Sequence, residues 1–378
     1  MREYPVMDPS EGLTLFYPTV PKTAIDEVAA TLATRWIGQG PRVERFEQQF
    51  KAKYLIDHSP LAVGSGTDAL HLAYLLAGLQ ADDEVLVPVF TCTATNIPLL
   101  YIGAKVNFVD IDPQTMNISI ADLKRKINDR TRAIVTVDYG GICCDYDEIN
   151  SLALKYNIPV IQDAAHSLGS RYDGKIVGSF SDFVIFSFQA IKTLTTGDGG
   201  MLAIRNKTLL PRAKKLRWFG IDRESKQGGI WENDIVDVGY KYQMTDIAAA
   251  MGLGGLEKVD SNISHRKAIF AKYQENLKNF SGVKVIAPVS EKALDFCPWL
   301  LTVLVEGDRV GLMDKLREQK IESAQVHFRN DRYSIFGQRR KDLPVMDELE
   351  HRYLVLPSHP RVTLEQVDKV CSVVKSGW

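Results

Sequence analysis

The chain has 378 residues, of which 45% are hydrophobic and 25% are charged, and its formal net charge at pH 7 is −1. This composition is ordinary for a globular protein, and the near-zero net charge gives no bulk attraction to nucleic acid or to an anionic membrane. The length exceeds what one hydrophobic core usually spans, so we expect two domains.

The N-terminal segment and the cysteines indicate the compartment. Residues 1–10 contain no apolar run of the kind found in signal peptides, and no apolar stretch approaches membrane-spanning length. The 5 cysteines form no Cys-x-x-Cys pair and leave one odd. We therefore expect a reduced, cytoplasmic protein.

Short apolar runs alternate with helical patterns from about residue 64 to residue 205. The runs are rich in Val, Ile and Phe and mostly lack polar alternation, as is typical of parallel strands covered on both faces. They predict strands over 84–90, 105–111, 132–139, 159–163, 182–188 and 200–204, with helices over 68–79, 95–102, 120–128 and 147–156. This order predicts a doubly wound, mostly parallel α/β sheet, in which ligands bind beyond the carboxyl ends of the strands.

The pattern changes after about residue 245. Helices are predicted over 245–264, 266–279, 311–319 and 363–375, with a strand over 298–305. We interpret this part as a smaller α+β domain hinged on a long helix. The predicted division is an N-terminal arm over 1–15, loosely held, a large domain over 16–255 and a small domain over 256–378.

Two polar side chains follow apolar strands at the predicted ligand-binding edge. Asp163 ends the run Val-Ile-Gln-Asp, and Lys192 lies 29 residues later, before the turn Thr-Gly-Asp-Gly-Gly. A lysine amine can form a Schiff base with pyridoxal phosphate (PLP), and an aspartate can keep the ring nitrogen protonated so that the ring accepts electrons. Taken singly, Asp163 fits a structural ion pair or a metal site equally well, and Lys192 fits a surface lysine.

The segment Gly-Ser-Gly-Thr at 64–67 opens the first of these predicted helices. Free amides at a helix start attract phosphate, and glycine lets an anion approach the backbone closely. The plain alternative is a helix cap formed by Ser65 or Thr67.

The glycine-rich helix start, the aspartate and the lysine follow one another in an order and spacing that resembles fold-type I PLP enzymes. More narrowly, they resemble the DegT/DnrJ/EryC1/StrS family of nucleotide-sugar aminotransferases. Further matching segments, between about residues 16 and 370, are Arg-Trp-Ile-Gly-Gln-Gly-Pro at 35–41, Phe-Val-Asp-Ile at 108–111, Asp-Ala-Ala-His at 163–166, Phe-Ser-Phe at 186–188, Gly-Asp-Gly-Gly at 197–200 and Gly-Tyr at 239–240. The resemblance implies the fold-type I architecture, with a doubly wound large domain and a smaller α+β C-terminal domain.

The resemblance also implies roles for matching positions. Lys192 would carry PLP and shuttle the proton, and Asp163 would pair with the pyridinium nitrogen. Gly66, Thr67 and Ser187 would hold the phosphate.

Two departures from the family pattern affect the cofactor site. Lys241 stands where the family has an Asn that contacts the phosphate of the partner subunit, so the resemblance implies a homodimer with shared active sites. Cys92 stands where the family often has an aromatic residue stacked on the PLP ring, which makes His166 a candidate to cover that face. A lone histidine is more often a structural hydrogen-bonding residue.

Three further residues are candidate substrate contacts. His327 and Arg329 lie in a segment that resembles the family's active-site loop, and Trp231 lies in an insertion after the Arg-Trp-Phe-Gly segment at 217–220. Plain loop packing explains His327 and Arg329 equally well.

The resemblance therefore implies an aminotransferase that uses PLP, with the aminated form PMP as intermediate. We expect it to move an amino group from L-glutamate to a nucleotide-linked ketosugar, releasing 2-oxoglutarate. The product would serve a surface polysaccharide, such as a lipopolysaccharide O-antigen, or a glycosylated metabolite. A PLP lyase, an amino-acid aminotransferase and a non-catalytic regulator that binds PLP or a sugar nucleotide stay open as alternatives. We expect no metal, nucleic-acid or membrane partner, and the nucleotide and the position of amination stay open.

Overall fold

The computed structural model of the protein describes residues 4–232 and 234–378. Its strands, numbered in chain order, are β1 Ser59–Val63, β2 Glu84–Pro88, β3 Phe90–Thr91, β4 Lys105–Val109, β5 Thr131–Val137, β6 Val160–Asp163, β7 Arg171–Tyr172, β8 Lys175–Ile176, β9 Phe183–Ser187, β10 Gly200–Ile204, β11 Val283–Val285, β12 Leu301–Val305, β13 Phe328–Arg329 and β14 Tyr353–Leu356. Its α-helices are α1 Lys22–Leu32, α2 Pro41–Tyr54, α3 Gly66–Leu76, α4 Thr93–Tyr101, α5 Ile120–Lys126, α6 Tyr146–Tyr156, α7 Leu210–Leu216, α8 Arg223–Gln227, α9 Asp246–Leu256, α10 Val259–Leu277, α11 Arg309–Glu318, α12 Pro344–Leu349 and α13 Leu364–Lys375.

The central sheet has the strand order β1-β10-β9-β6-β5-β2-β4. Neighbouring strands from β9 to β4 run parallel, while β10 is antiparallel to both β9 and β1. The predicted mostly parallel α/β sheet is confirmed. All six predicted strands of this part are present within a few residues, whereas β1 was not predicted.

Both faces of the sheet are buried, which explains the continuous apolar runs of the sequence. Along β9, Phe183 and Ile185 pack into one hydrophobic core, and Val184 and Phe186 pack into the other. Because successive side chains of a strand point to opposite faces, a strand covered on both sides needs apolar residues at every position.

The helix predicted over 245–264 is wrong in its extent. Helix α9 ends at Leu256, and α10 begins at Val259 and continues without a break through Ser264. A Cβ added at Gly254 would lie 2.4 Å from the backbone of Ala24, so α9 packs closely on α1 through a glycine-rich face. Glycines in a helix also weaken its propagation, and α9 ends just after them.

The C-terminal part contains its own antiparallel sheet in the order β11-β12-β14. Helix α13 packs on this part through Val367, Val370, Cys371 and Val374, an apolar stripe of helical spacing. No helix in the described part of the chain is long and apolar enough to cross a bilayer.

Residues 4–15 are held against the C-terminal part. Leu13 forms a parallel bridge with Ile321, and the Leu15 amide donates to the Glu322 carboxylate at 2.7 Å. The expectation of a loosely held arm is wrong for Met7 and for residues 12–15, which are buried or hydrogen-bonded to the C-terminal part, whereas residues 5, 6 and 8–11 are exposed. Residues 1–3 of the predicted arm lie outside the described residues.

A short antiparallel pair joins the two parts of the chain. Strand β13 pairs with β3, so that Phe328 faces Thr91 and Arg329 faces Phe90. This pairing carries the residue before β13, His327, to the carboxyl edge of the central sheet.

Candidate active site

Asp163 is the last residue of β6, at the carboxyl edge of the sheet, and it is buried. Its Oδ2 accepts a hydrogen bond from the Thr95 hydroxyl at 2.8 Å, and its Oδ1 accepts one from the Ala165 amide at 3.1 Å. Burial raises the pKa of Asp163, while these hydrogen bonds and the charge of Lys192 lower it. The carboxylate is therefore oriented by two donors and has a cation near it.

Lys192 lies in the loop between β9 and β10. The loop is closed by hydrogen bonds from the Lys192 amide to the Gln189 carbonyl and from the Thr196 amide to the Phe188 carbonyl, both at 2.9 Å. Burial lowers the pKa of Lys192 to about 8, and the charge of Asp163 opposes that shift. A lysine with this pKa is partly neutral near physiological pH, which a nucleophile or proton acceptor requires.

The start of α3 meets the end of β9 to form an anion cradle. The Ser65 hydroxyl caps the helix by accepting from the Asp68 amide at 3.0 Å. The amides of Gly66 and Thr67 lie in the first helical turn, where amides have no partner within the helix. A Cβ added at Gly66 would lie 3.0 Å from the Cβ of Ser187, so glycine leaves the gap beside the Ser187 hydroxyl open.

His166 and His327 meet at the same edge. The Gly140 amide donates to His166 Nδ1 at 3.3 Å, and the Nε2 atoms of the two imidazoles are 3.4 Å apart. Burial lowers the pKa of both rings, that of His327 to about 3, so both are neutral. Because His166 Nδ1 accepts, its Nε2 carries the proton and donates to His327.

His327 is held in an unusual backbone conformation. Its φ is +66°, in the left-handed region that non-glycine residues seldom adopt, and its carbonyl accepts from the Tyr353 hydroxyl at 2.8 Å. Such strain persists only where surrounding contacts enforce it, and it is common at functional sites.

Two residues of the site were missed from the sequence. Thr95 orients Asp163, and Trp299 stacks on His166 with ring centroids 4.0 Å apart. Thr95 follows the Pro-x-x-Thr segment at 88–91 within one helical turn, which is a weak local indication. Nothing local indicates Trp299, because it enters from the C-terminal part of the chain.

The residues present fit PLP. Gly66, Thr67 and Ser187 would hold the phosphate in the cradle, Asp163 would face the ring nitrogen, and Lys192 would bond the aldehyde carbon. When bound, PLP supplies an electron sink for the carbon that gains or loses the amino group.

Arg329 does not fit its predicted role as a substrate contact. Its side chain is 0% exposed, and its Nε and Nη2 donate to the two carboxylate oxygens of Asp331 at 2.6 and 2.7 Å. Its Nη1 pairs with Asp347. Glu350 also lies 3.6 Å from Nη1. A guanidinium surrounded by three protein carboxylates has little capacity for a substrate carboxylate, so the structure makes Arg329 an internal ion-pair residue.

Trp231 and Lys241 are not brought to the other site residues within the chain. Trp231 is 73% exposed, and the Lys226 amine lies 5.2 Å from its ring centroid. Lys241 is exposed, with its amine 5.2 Å from the centroid of the Phe219 ring, although the carbonyl of the next residue, Tyr242, accepts from the Gly64 amide beside the cradle.

The chain is similar to known proteins over nearly its whole length. The model of the DegT/DnrJ/EryC1/StrS aminotransferase family matches residues 18–375. The chain is 36% identical to the UDP-4-amino-4,6-dideoxy-N-acetyl-beta-L-altrosamine transaminase of Campylobacter jejuni, with 97% of this chain and 99% of that protein covered. It is 33% identical to the GDP-perosamine synthase of Escherichia coli O157:H7, with 97% and 98% covered.

Solved structures agree with these relatives. The protein Spr1654 of Streptococcus pneumoniae in its PMP-form superposes with a TM-score of 0.89 at 28% identity, covering 96% of this chain and 98% of that one. The same protein is solved in a PLP-form. The predictions of family, fold and cofactor are confirmed. The chain belongs to the DegT/DnrJ/EryC1/StrS aminotransferase family and is a PLP-dependent aminotransferase of the kind that acts on nucleotide sugars.

Proposed function

We propose that this chain transfers the amino group of L-glutamate to the C4 keto group of a nucleotide-linked deoxysugar, with Lys192 and Asp163 as the catalytic residues. The observation that carries the proposal is the meeting of these two side chains at the carboxyl edge of the sheet, beside the cradle of Gly66 and Ser187.

Each residue has a task that its surroundings support. Asp163, held by Thr95 and the Ala165 amide, presents a fixed carboxylate to the ring nitrogen. In one half of the cycle Lys192 would move a proton from the donor Cα to C4′ of the cofactor, and in the other half it would move a proton from C4′ to the sugar carbon. A pKa of about 8 suits both directions, because the amine gains and loses a proton near physiological pH.

The position of amination is proposed from the relatives. Two proteins of 29–36% identity carry 4-amino sugars in their names, the Campylobacter transaminase and a UDP-4-amino-4-deoxy-L-arabinose–oxoglutarate aminotransferase of Shewanella sediminis. The second name also includes oxoglutarate, the keto acid that glutamate leaves behind. These names support C4 and glutamate. Both carry UDP, whereas the similar GDP-perosamine synthase of Escherichia coli carries GDP, so the relatives do not select the nucleotide.

The test is a screen of acceptors with the purified protein. Glutamate is offered with GDP- and UDP-linked 4-keto-6-deoxy sugars and with their 3-keto isomers, and the amino sugar and 2-oxoglutarate are measured. We expect equal amounts of amino sugar and 2-oxoglutarate with a 4-keto sugar, and neither product from the Lys192→Ala variant. Amination of only the 3-keto isomers contradicts the C4 assignment, and ammonia release without an acceptor indicates a lyase.

We also propose a cytoplasmic homodimer in which Lys241 contacts the cofactor phosphate of the partner subunit. Exposed apolar residues near Lys241 support the homodimer: Phe219, whose ring centroid lies 5.2 Å from the Lys241 amine, and Ile235, Val236 and Val238, the last 79% exposed. Apolar groups clustered on a surface mark an interface more often than a free surface. A contact related by a two-fold axis would bury the surface on both copies.

A further inference from the structure

The amine of Lys192 lies on the face of an indole ring. Its Nζ is 3.6 Å from the ring centroid of Trp299, a side chain that is 2% exposed. Indole is the aromatic group that attracts cations best, the attraction extends to about 6 Å, and it grows when water is excluded. At this distance the ammonium is in direct contact with the ring.

The indole is fixed in place by the loop that carries the lysine. Trp299 Nε1 donates to the carbonyl of Ile191, the residue before Lys192, at 3.0 Å, and the Trp299 amide donates to the Gly140 carbonyl at 2.8 Å. His166 stacks on the ring at 4.0 Å between centroids. The position of the ring therefore follows the Lys192 loop and does not depend on the lysine side chain.

The surroundings of Lys192 leave its charge only partly compensated. The titratable or charged groups close enough to act on it, or to be acted on by it, are Asp163, Cys92, Arg266, His166 and His327. Asp163 is the fixed anion among them, and with PLP bound it would face the ring nitrogen. Trp299 is a partner that stabilises the ammonium without accepting its proton, so it can hold the amine and leave its acid–base function intact.

We propose that the indole face of Trp299 is the resting site of the Lys192 ammonium group whenever that group is not bonded to the cofactor. Trp299 is then a positioning residue: it keeps the displaced amine inside the site while the amino group is on substrate or cofactor. The alternative is that Trp299 only fills space and excludes water.

The two possible roles of Trp299, a cation–π partner or a space-filling residue, predict opposite shifts in the pKa of Lys192. Trp299→Phe and Trp299→Leu both shrink the side chain and admit water, which raises the pKa of a buried lysine if burial is all that counts. Loss of the cation–π contact instead lowers the pKa, by about one unit in the Leu variant and by less in the Phe variant, which keeps an aromatic face.

The measurement is competitive acetylation of the full-length protein with acetic anhydride across pH, with Lys192 followed by mass spectrometry. The protein is used without cofactor and again with PMP bound, since the amine is free in both. We expect a pKa near 8 for the parent, and a descending order of parent, Phe variant and Leu variant. An unchanged or raised pKa in the Leu variant, or equal values in the two variants, overturns the proposal.

Tryptophan fluorescence gives a second readout, because misfolding of a variant would not by itself produce a pH transition at the pKa of Lys192. The difference in fluorescence between the parent and Trp299→Phe should change with pH at the pKa of Lys192. The same difference, measured in proteins that also carry Lys192→Met, should have no such transition. The matched control is Trp378→Phe, whose ring packs beside Phe280 in the C-terminal part; its difference spectrum should have no such transition. A Trp299 signal that keeps its transition in Lys192→Met contradicts the proposal.

Discussion

Replacing Arg329 with methionine should destabilise the protein and leave glutamate binding unaffected. The guanidinium is 0% exposed and Asp331 is 1% exposed, so the substitution leaves a buried carboxylate without its cation. Removing one partner of a buried ion pair costs about 3–5 kcal/mol. For a chain of 378 residues that corresponds to a fall in the unfolding midpoint of roughly 4–6 °C.

The assay pairs thermal unfolding with the glutamate half-reaction. The matched control is Arg332→Met, which removes the same charge from an exposed neighbour whose guanidinium lies over the Phe328 ring; we expect a change within about 0.5 kcal/mol. The double variant Arg329→Met/Asp331→Leu should recover much of the lost stability, because apolar residues can replace a buried pair. A single variant that unfolds normally but has a raised KM for glutamate would show that Arg329 contacts substrate and is not a structural ion-pair residue.

Three further predictions concern the cofactor site. Asp163→Asn should keep some PLP but transaminate orders of magnitude more slowly, since an amide cannot keep the ring nitrogen protonated; near-normal turnover would make Asp163 structural. The rate of PLP binding to the cofactor-free protein should rise about tenfold per pH unit and level off near pH 8, because only the neutral amine reacts; a rise continuing to the ordinary lysine value of 10.5 would contradict the lowered pKa. Mixing inactive Lys192→Ala and Lys241→Glu chains should restore up to half of the parent activity per dimer if Lys241 acts on the partner's site, and none if it acts within its own chain.

The sequence contains the local part of this site and not the part assembled from distant segments. Asp163 and Lys192 could be predicted because each follows an apolar strand, and parallel strands bring their carboxyl ends to one edge. Trp299 could not be predicted, because it enters the site from 107 residues beyond Lys192 through packing of the C-terminal part.

The prediction that Arg329 contacts substrate is wrong for a related reason. A sequence identifies the cation but not the carboxylates that surround it, and Asp347 reaches Arg329 only through the fold. The helix predicted over 245–264 is wrong in extent because the pattern of apolar residues continues past Leu256, where α9 ends just after its glycines.

The most direct test of Lys192 as the cofactor-bearing residue is to locate the covalent bond between protein and cofactor. The PLP-loaded protein is reduced with borohydride, digested and mapped by mass spectrometry, with Lys192→Ala treated in parallel. The phosphopyridoxyl group is expected on the peptide containing Lys192, with no specific label in the variant. Labelling of another lysine, or equal labelling of the variant, would contradict it.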